Sequence, residues 1–255
     1  MSVDNDGMRL ITTPSRDQNG VVAMNEAATH VAIVTGFSSG LGFEITSQLL
    51  DRNWRVVGVA RSEPSEGSFS ERPMKPLVVT GSVDHEETAI AAFETGRTLG
   101  TIEMVVNCAG TGAFGSVGSY RAEEIAEVLR GNLAGLILFS EHAVRAMANT
   151  NGSIINIMST AAKRLKSEES VYVAAKWGAK AYTRTLRKEL KARRSSIRVF
   201  EVYPCGMRTS FWQHAIRSPS GGDSFPQPQI IAREILARVL TKEDFYCPEI
   251  TFERV

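Results

Sequence analysis

Apolar and polar positions fall into two alternating kinds of block from residue 30 onward. His30–Thr35 (HVAIVT) is a short β-branched run that ends at a glycine, the pattern of a strand buried on both faces. Leu41 to Arg52 then sets Ile45, Leu49 and Leu50 at helical spacing, and Trp54–Ala60 is a second strand. Arg61 to Lys75 is rich in Ser, Glu and Pro and reads as a loop. Leu77–Val79 predicts a third strand, and Asp84–Leu99 a helix with Ile90 and Phe93 on its apolar face. Met104–Asn107 follows as a fourth strand, then one or two helices over Tyr120–Ala148, broken near Gly131. Ser153–Met158 is a fifth strand, Val171–Ala192 a long helix, and Ile197–Val202 a sixth strand. A helix over Gln229–Leu240 and a last short strand at Glu249–Phe252 complete the pattern.

Strands separated by helices of this length make βαβ units, so the expected fold is α/β. It is a doubly wound, Rossmann-like parallel sheet of about seven strands with helices on both faces. Right-handed crossovers bring the strand C-terminal ends to one rim, where ligands collect at the switch point. Composition fits this reading: of 255 residues 43% are hydrophobic and 22% charged, ordinary for a globular protein. Residues 1–28 carry scattered Asp, Asn, Thr, Pro and Gly, with no secretory pattern, and are expected to form a flexible extension. Met8 and Met24 leave room for a later start. No composition break divides residues 29–255, which are expected to form one catalytic domain.

Charge and cysteine content exclude several function classes. Twenty-nine Lys and Arg balance 28 Asp and Glu, so neither nucleic acid nor an anionic membrane has an electrostatic claim as main partner. No apolar run is long enough to cross a bilayer. Three cysteines, Cys108, Cys205 and Cys247, suit a reducing compartment, and a cytoplasmic location is expected. No His, Asp and Glu cluster suggests a metal, and His214 stands alone.

The first candidate chemistry lies where the first strand runs into Thr35-Gly36-Phe37-Ser38-Ser39-Gly40-Leu41-Gly42. Three glycines let the backbone approach a bound group, and the helix that follows offers its positive end to a phosphate. No Gly-Lys-Ser/Thr follows, which removes the Walker alternative. This TGxxxGxG spacing resembles the short-chain dehydrogenase/reductase family. Asn107-Cys108-Ala109-Gly110 is similar to the family's Asn-Asn-Ala-Gly element, with Cys108 as a substitution. Asn132, Ser159, Tyr172 and Lys176 stand in the family's order, the last two as Tyr-Val-Ala-Ala-Lys. Pro204 to Thr209 resembles its Pro-Gly…Thr element, with Cys205 where glycine is usual.

The resemblance implies a nicotinamide cofactor held by Gly36, Ser38, Ser39, Gly40, Leu41, Gly42, Asn107, Ala109, Gly110, Pro204, Gly206, Met207 and Thr209, with Tyr172 and Lys176 completing the site. It also implies that Lys176 binds the nicotinamide ribose and that Asn132 anchors a water in a proton relay. Residue chemistry agrees. Tyr172 and Lys176 are four apart and share a helix face, where an ammonium is expected to lower the phenol's pKa. The phenol then exchanges a proton with the substrate oxygen, which Ser159 holds by a hydrogen bond.

The second strand ends Val59-Ala60-Arg61-Ser62, with no acid for a ribose 2′-hydroxyl and an arginine suited to a 2′-phosphate. NADP(H) is therefore the expected cofactor, with NAD(H) as the alternative. Asp84 is either an adenine contact or a helix N-cap. The expected reaction joins a carbonyl and a secondary alcohol, in the direction of ketone reduction. The alternatives are NAD-linked alcohol oxidation and, from another class, a non-catalytic nucleotide sensor. Lys163, Arg164 and Lys166 lie close to the reaction site and either attract an acidic substrate or are balanced loop charges. Phe211 and Trp212, followed by Ser218–Gly222, read either as an aromatic lid on a hinge or as core packing. Cys108 and Cys205 read as small space-filling residues or as a redox switch. The resemblance further implies a homodimer or homotetramer, to which Trp177, Ala181 and Leu186 offer apolar positions.

Overall fold

Seven parallel strands in the order β3-β2-β1-β4-β5-β6-β7 form the centre of the computed structural model. They are β1 (His30–Thr35), β2 (Arg55–Ala60), β3 (Leu77–Thr80), β4 (Thr101–Asn107), β5 (Ser153–Ile157), β6 (Arg198–Tyr203) and β7 (Glu249–Thr251). Among the described residues seven α-helices accompany them: α1 (Gly40–Leu50), α2 (Glu86–Leu99), α3 (Ala122–Leu129), α4 (Gly135–Ala146), α5 (Ser170–Ala192), α6 (Phe211–His214) and α7 (Pro228–Val239). The structure describes residues 29–65, 67–217, 225–241 and 246–254. The expected N-terminal extension and the Ser218–Gly222 hinge lie outside the described residues.

Successive side chains of a strand point to opposite faces, and β1 shows this directly. Ala32 and Val34 pack with Leu41, Ile45 and Leu49 of α1 and with Ile231, Ile235 and Leu236 of α7. Val31 and Ile33 pack on the other face with Phe93 of α2, Phe139 of α4 and Leu186 of α5. Helices on both faces explain why the central strands read as continuous apolar runs rather than alternating ones.

Three expectations change on this scaffold. The apolar face of α2 is Ala89, Ala92, Phe93 and Gly96, while Ile90 is exposed. Leu186 is buried in the core and is not part of any outer surface, whereas Trp177 and Ala181 are exposed. The helical region does not break at Gly131. Instead α3 and α4 are joined through a π turn at Arg130–Ala134, where the wider ladder accommodates the buried Asn132. Strand order reverses between β1 and β4, so a crevice opens at their C-terminal ends.

Candidate active site

A cleft of about 1190 Å³ runs along that rim and is lined by nearly every residue singled out from the sequence. At its near end the chain leaves β1 through Thr35, whose Oγ1 accepts hydrogen bonds from the backbone N–H groups of Cys108 (3.0 Å) and Ala109 (3.1 Å). Thr35 thus ties the two loops at the switch point together, a role its place before Gly36 did not signal. Gly36 has φ +69°, and a Cβ on Gly42 would lie 2.2 Å from the Gly36 carbonyl oxygen. Only glycine permits this turn. Ser39 precedes α1 in extended conformation, and its side chain makes no cap hydrogen bond. Ser38, Ser39, Gly40, Leu41 and Gly42 line the cleft, so the positive end of α1 opens into it.

Arg61 and Asp84 lie along the adjoining wall. Arg61 is exposed at the end of β2, with Glu127 3.5 Å away. Asp84 is not the N-cap of α2; His85 occupies that position. Asp84 instead accepts from the Ser82 hydroxyl and lies 3.5 Å from Arg130. Burial works to raise its pKa, but Ser82, its own backbone N–H, His85 and Arg130 together hold it below the usual carboxylate value.

Deeper in the cleft Ser159, Tyr172, Lys176 and Asn132 converge. Lys176 and Tyr172 project from one face of α5, with the ammonium 5.7 Å from the phenol ring centre. Lys176 Nζ donates to the Ile157 carbonyl at 3.0 Å, and burial lowers its pKa to about 8. Burial also pushes the Tyr172 phenol well above its ordinary value, while a side-chain hydrogen bond with Ser159 pulls the other way. The lowering expected from Lys176 does not set this direction: desolvation raises the phenol most, Glu169 and Cys108 add to the rise, and Ser159 opposes it.

Asn132 Nδ2 donates to the carbonyls of Thr111 (2.8 Å) and Val128 (3.0 Å), filling the π turn. Its Oδ1 is buried without a protein partner. A Cβ on Gly110 would lie 2.4 Å from that oxygen and 3.7 Å from Lys176 Nζ, so glycine keeps the space between Asn132 and Lys176 open. Ala109, Pro204, Gly206, Met207 and Thr209 also line the cleft.

The turn bearing Ser159 is fixed from α5. Trp177 Nε1 donates to the Ala161 carbonyl at 3.1 Å, and Lys180 Nζ to the Ala162 carbonyl at 3.0 Å. Lys163, at the end of the turn, donates to Glu249 and Thr251 of β7. Behind this lies Glu201, fully buried, which accepts from Arg184 Nε (3.0 Å), Arg187 Nη2 (2.6 Å) and the Tyr203 hydroxyl.

One expected cofactor residue is placed elsewhere. Asn107 is buried and does not line the cleft; its Nδ2 donates to Asn156 Oδ1 (2.8 Å) and Ser140 Oγ (3.0 Å), bracing the strand ends beneath the turn. Two open questions are answered by geometry. Burial pushes the Cys108 thiol up to about 12 and raises Cys205 as well, so neither is a thiolate at neutral pH, which fits the space-filling reading. Cys205 needs no left-handed backbone, since it is not among the residues with positive φ. The cations before Tyr172 are balanced: Arg164 meets Glu253 at 2.6 Å and Lys166 meets Glu169 at 3.6 Å. Among the described residues no cluster of three His, Cys, Asp or Glu forms a metal site, and no helix is long and apolar enough to cross a membrane.

Comparison with known proteins agrees with this arrangement. Residues 30–219 match the family model of short chain dehydrogenases. The chain is 34% identical to carbonyl reductase family member 4 of Danio rerio, over 69% of this chain and 75% of that protein. It is 30% identical to farnesol dehydrogenase of Aedes aegypti, over 91% of this chain and 98% of that one. Among solved structures, a short-chain dehydrogenase/reductase from Vibrio parahaemolyticus superposes with a TM-score of 0.75 and 27% identity, over 86% of this chain and 95% of the other. An alcohol dehydrogenase from Thermococcus sibiricus, complexed with 5-hydroxy-NADP, superposes with a TM-score of 0.77 at 23% identity, over 88% and 96% of the two chains. The glycine turn, the buried Tyr-Lys pair and these likenesses together establish that the chain belongs to the short-chain dehydrogenase/reductase family, as an oxidoreductase of CH–OH and C=O groups.

Proposed function

We propose that this protein is an NADP(H)-dependent reductase of ketones. The observation that carries the reading is the meeting of Ser159, Tyr172 and Lys176 in the same cleft that starts at the glycine turn. The residues fit a nicotinamide dinucleotide on structural grounds. The close approach of Gly42 to Gly36 brings the uncapped start of α1 to the surface of the cleft, a seat for a pyrophosphate. When bound, the nicotinamide supplies hydride to the carbonyl carbon.

The chain's own residues supply the rest. Ser159 donates a hydrogen bond to the substrate oxygen and Tyr172 gives it a proton. The Tyr172 phenol carries its proton at neutral pH, as the donor in a reduction must. Lys176, with its pKa lowered to about 8 and its ammonium 5.7 Å from the phenol ring centre, is the group that restores that proton through a relay, which a water joins at the unpartnered Oδ1 of Asn132. Arg61 supports the 2′-phosphate reading. Its partner Glu127 is itself exposed, and an exposed ion pair exchanges partners at a cost of about 1 kcal/mol or less. The exposed Trp177 and Ala181 of α5 support self-association, which light scattering at micromolar concentration tests.

The deciding experiment measures kcat/KM for NADPH and NADH with a panel of ketones and aldehydes. NADPH is expected to be preferred in the wild type and the preference to fall in Arg61→Ala. Tyr172→Phe is expected to lose about a hundredfold to ten-thousandfold in turnover. A wild-type preference for NADH would overturn the cofactor assignment, and full activity in Tyr172→Phe the assignment of the acid.

A further inference from the structure

The reduction just proposed uses the glycine turn and the Tyr-Lys pair but not the aromatic residues at the other end of the cleft. Phe114, Phe211, Trp212 and Phe225 all line it, and each is only partly covered. They form a continuous run. The Phe211 ring lies 6.1 Å from Tyr172, Trp212 lies 5.4 Å from Phe211, and Phe114 and Phe225 lie 5.8 and 5.3 Å from Trp212. The wall therefore begins at the proton donor itself.

Its construction is specific. Trp212 Nε1 donates to the Met207 carbonyl at 2.8 Å, so the one polar atom of the indole is satisfied within the protein. Phe114 is locked to the segment carrying these rings by reciprocal backbone bonds. Phe114 N donates to the Ile216 carbonyl and Ile216 N to the Gly112 carbonyl, each at 2.9 Å. A Cβ on Gly112 would lie 2.8 Å from the Phe211 ring, so the rings press against backbone that carries no side chain. Two of the three cations at this end are paired, Arg164 with Glu253 and Lys166 with Glu169, and the Arg254 guanidinium lies over the Phe225 ring at 5.3 Å. The ring faces themselves offer a charged substituent no hydrogen-bonding group, since the indole N–H is already used.

We propose that the substrate is a neutral ketone whose carbonyl is borne on a flat apolar ring system, seated against Phe211 and Trp212 with its oxygen toward Tyr172. The inference rests on the ketone-reductase reading and specifies its substrate class. Aromatic faces meet a flat ring over its whole area, whereas a linear chain touches them along one edge and loses more conformational freedom on seating.

The test compares 1-tetralone, 2-decanone of the same carbon number, dihydroxyacetone and pyruvate as substrates for wild type, Trp212→Ala and Trp212→Phe. Wild type is expected to favour 1-tetralone over 2-decanone by at least about tenfold in kcat/KM, and the two small polar compounds to trail both. Trp212→Ala is expected to raise the KM for 1-tetralone by about tenfold with a smaller change in kcat, and Trp212→Phe to restore most of it. Preference for 2-decanone, dihydroxyacetone or pyruvate, or an unchanged KM in Trp212→Ala, overturns the ring-ketone inference and leaves carbonyl reduction standing. Turnover of none of these compounds, nor of any in the wider panel, overturns carbonyl reduction itself. The ring wall is then decided by tryptophan fluorescence: saturable quenching by 1-tetralone that is reduced in Trp212→Phe supports it, and no saturable quenching overturns it.

Discussion

Lys176 reaches across from α5 to donate its 3.0 Å hydrogen bond to Ile157, the last residue of β5, and in doing so buries an ammonium in the floor of the cleft. The protein holds this charge against the preference of its surroundings, since desolvation lowers the lysine pKa to about 8 from an ordinary 10.5. Below the lower value the ammonium is charged in both folded and unfolded chains and the burial penalty is felt in full. Between the two values the unfolded chain binds more protons than the folded one, so stability rises with pH through that window. Lys176→Met removes the penalty along with the activity. Its melting temperature is expected to match or exceed that of the wild type at pH 7, and the difference to shrink by pH 10. Thermal melts across that range check this, and a gap that widens with pH would contradict it.

Gly42→Ala introduces a methyl 2.2 Å from the Gly36 carbonyl oxygen, and backbone on both sides leaves no flexible atom to yield. The glycine turn must open to admit it. Overpacking of this kind costs about 1–3 kcal/mol, and NADPH affinity is expected to fall by about tenfold or more because the turn and the start of α1 shift together. Titration of NADPH fluorescence reads the affinity, and unchanged binding would show that the turn is not the pyrophosphate seat.

Glu201 has no solvent exposure and compensates two arginines at once. Glu201→Gln keeps the shape but removes the charge that Arg184 and Arg187 face. Because both arginines keep some access to water, the loss is expected at the lower end of buried-pair values, about 3 kcal/mol, read as a lower melting temperature. A melt unchanged from wild type would show the cluster to be energetically neutral.

Much of this was legible in the sequence because the signals were local. β-Branched runs, the glycine spacing and the four-residue interval between Tyr172 and Lys176 each describe one element, and each is found where its pattern put it. What escaped depends on contacts between distant segments. Ile90 and Phe93 share a helical spacing, yet only Phe93 faces the sheet, because the way α2 seats on β1 and β2 is not written in α2. Asn107 reads as a cofactor residue from its motif, but its side chain is claimed by Ser140 and Asn156, 33 and 49 residues away. Phe225 gave no signal, since only the fold brings it to Trp212. The direction of the Tyr172 pKa is of the same kind: spacing shows a neighbouring charge, whereas desolvation belongs to the assembled protein.

Helix α5 carries Tyr172 and Lys176 on its inner face and, one turn on, grips the main chain beyond Ser159 through Trp177 and Lys180. A single rigid rod thus sets the spacing of hydroxyl, phenol and ammonium alike. Any displacement of that rod carries all three groups as a unit, so remote changes along α5 will alter how the trio meets the nicotinamide while leaving the trio's internal geometry intact.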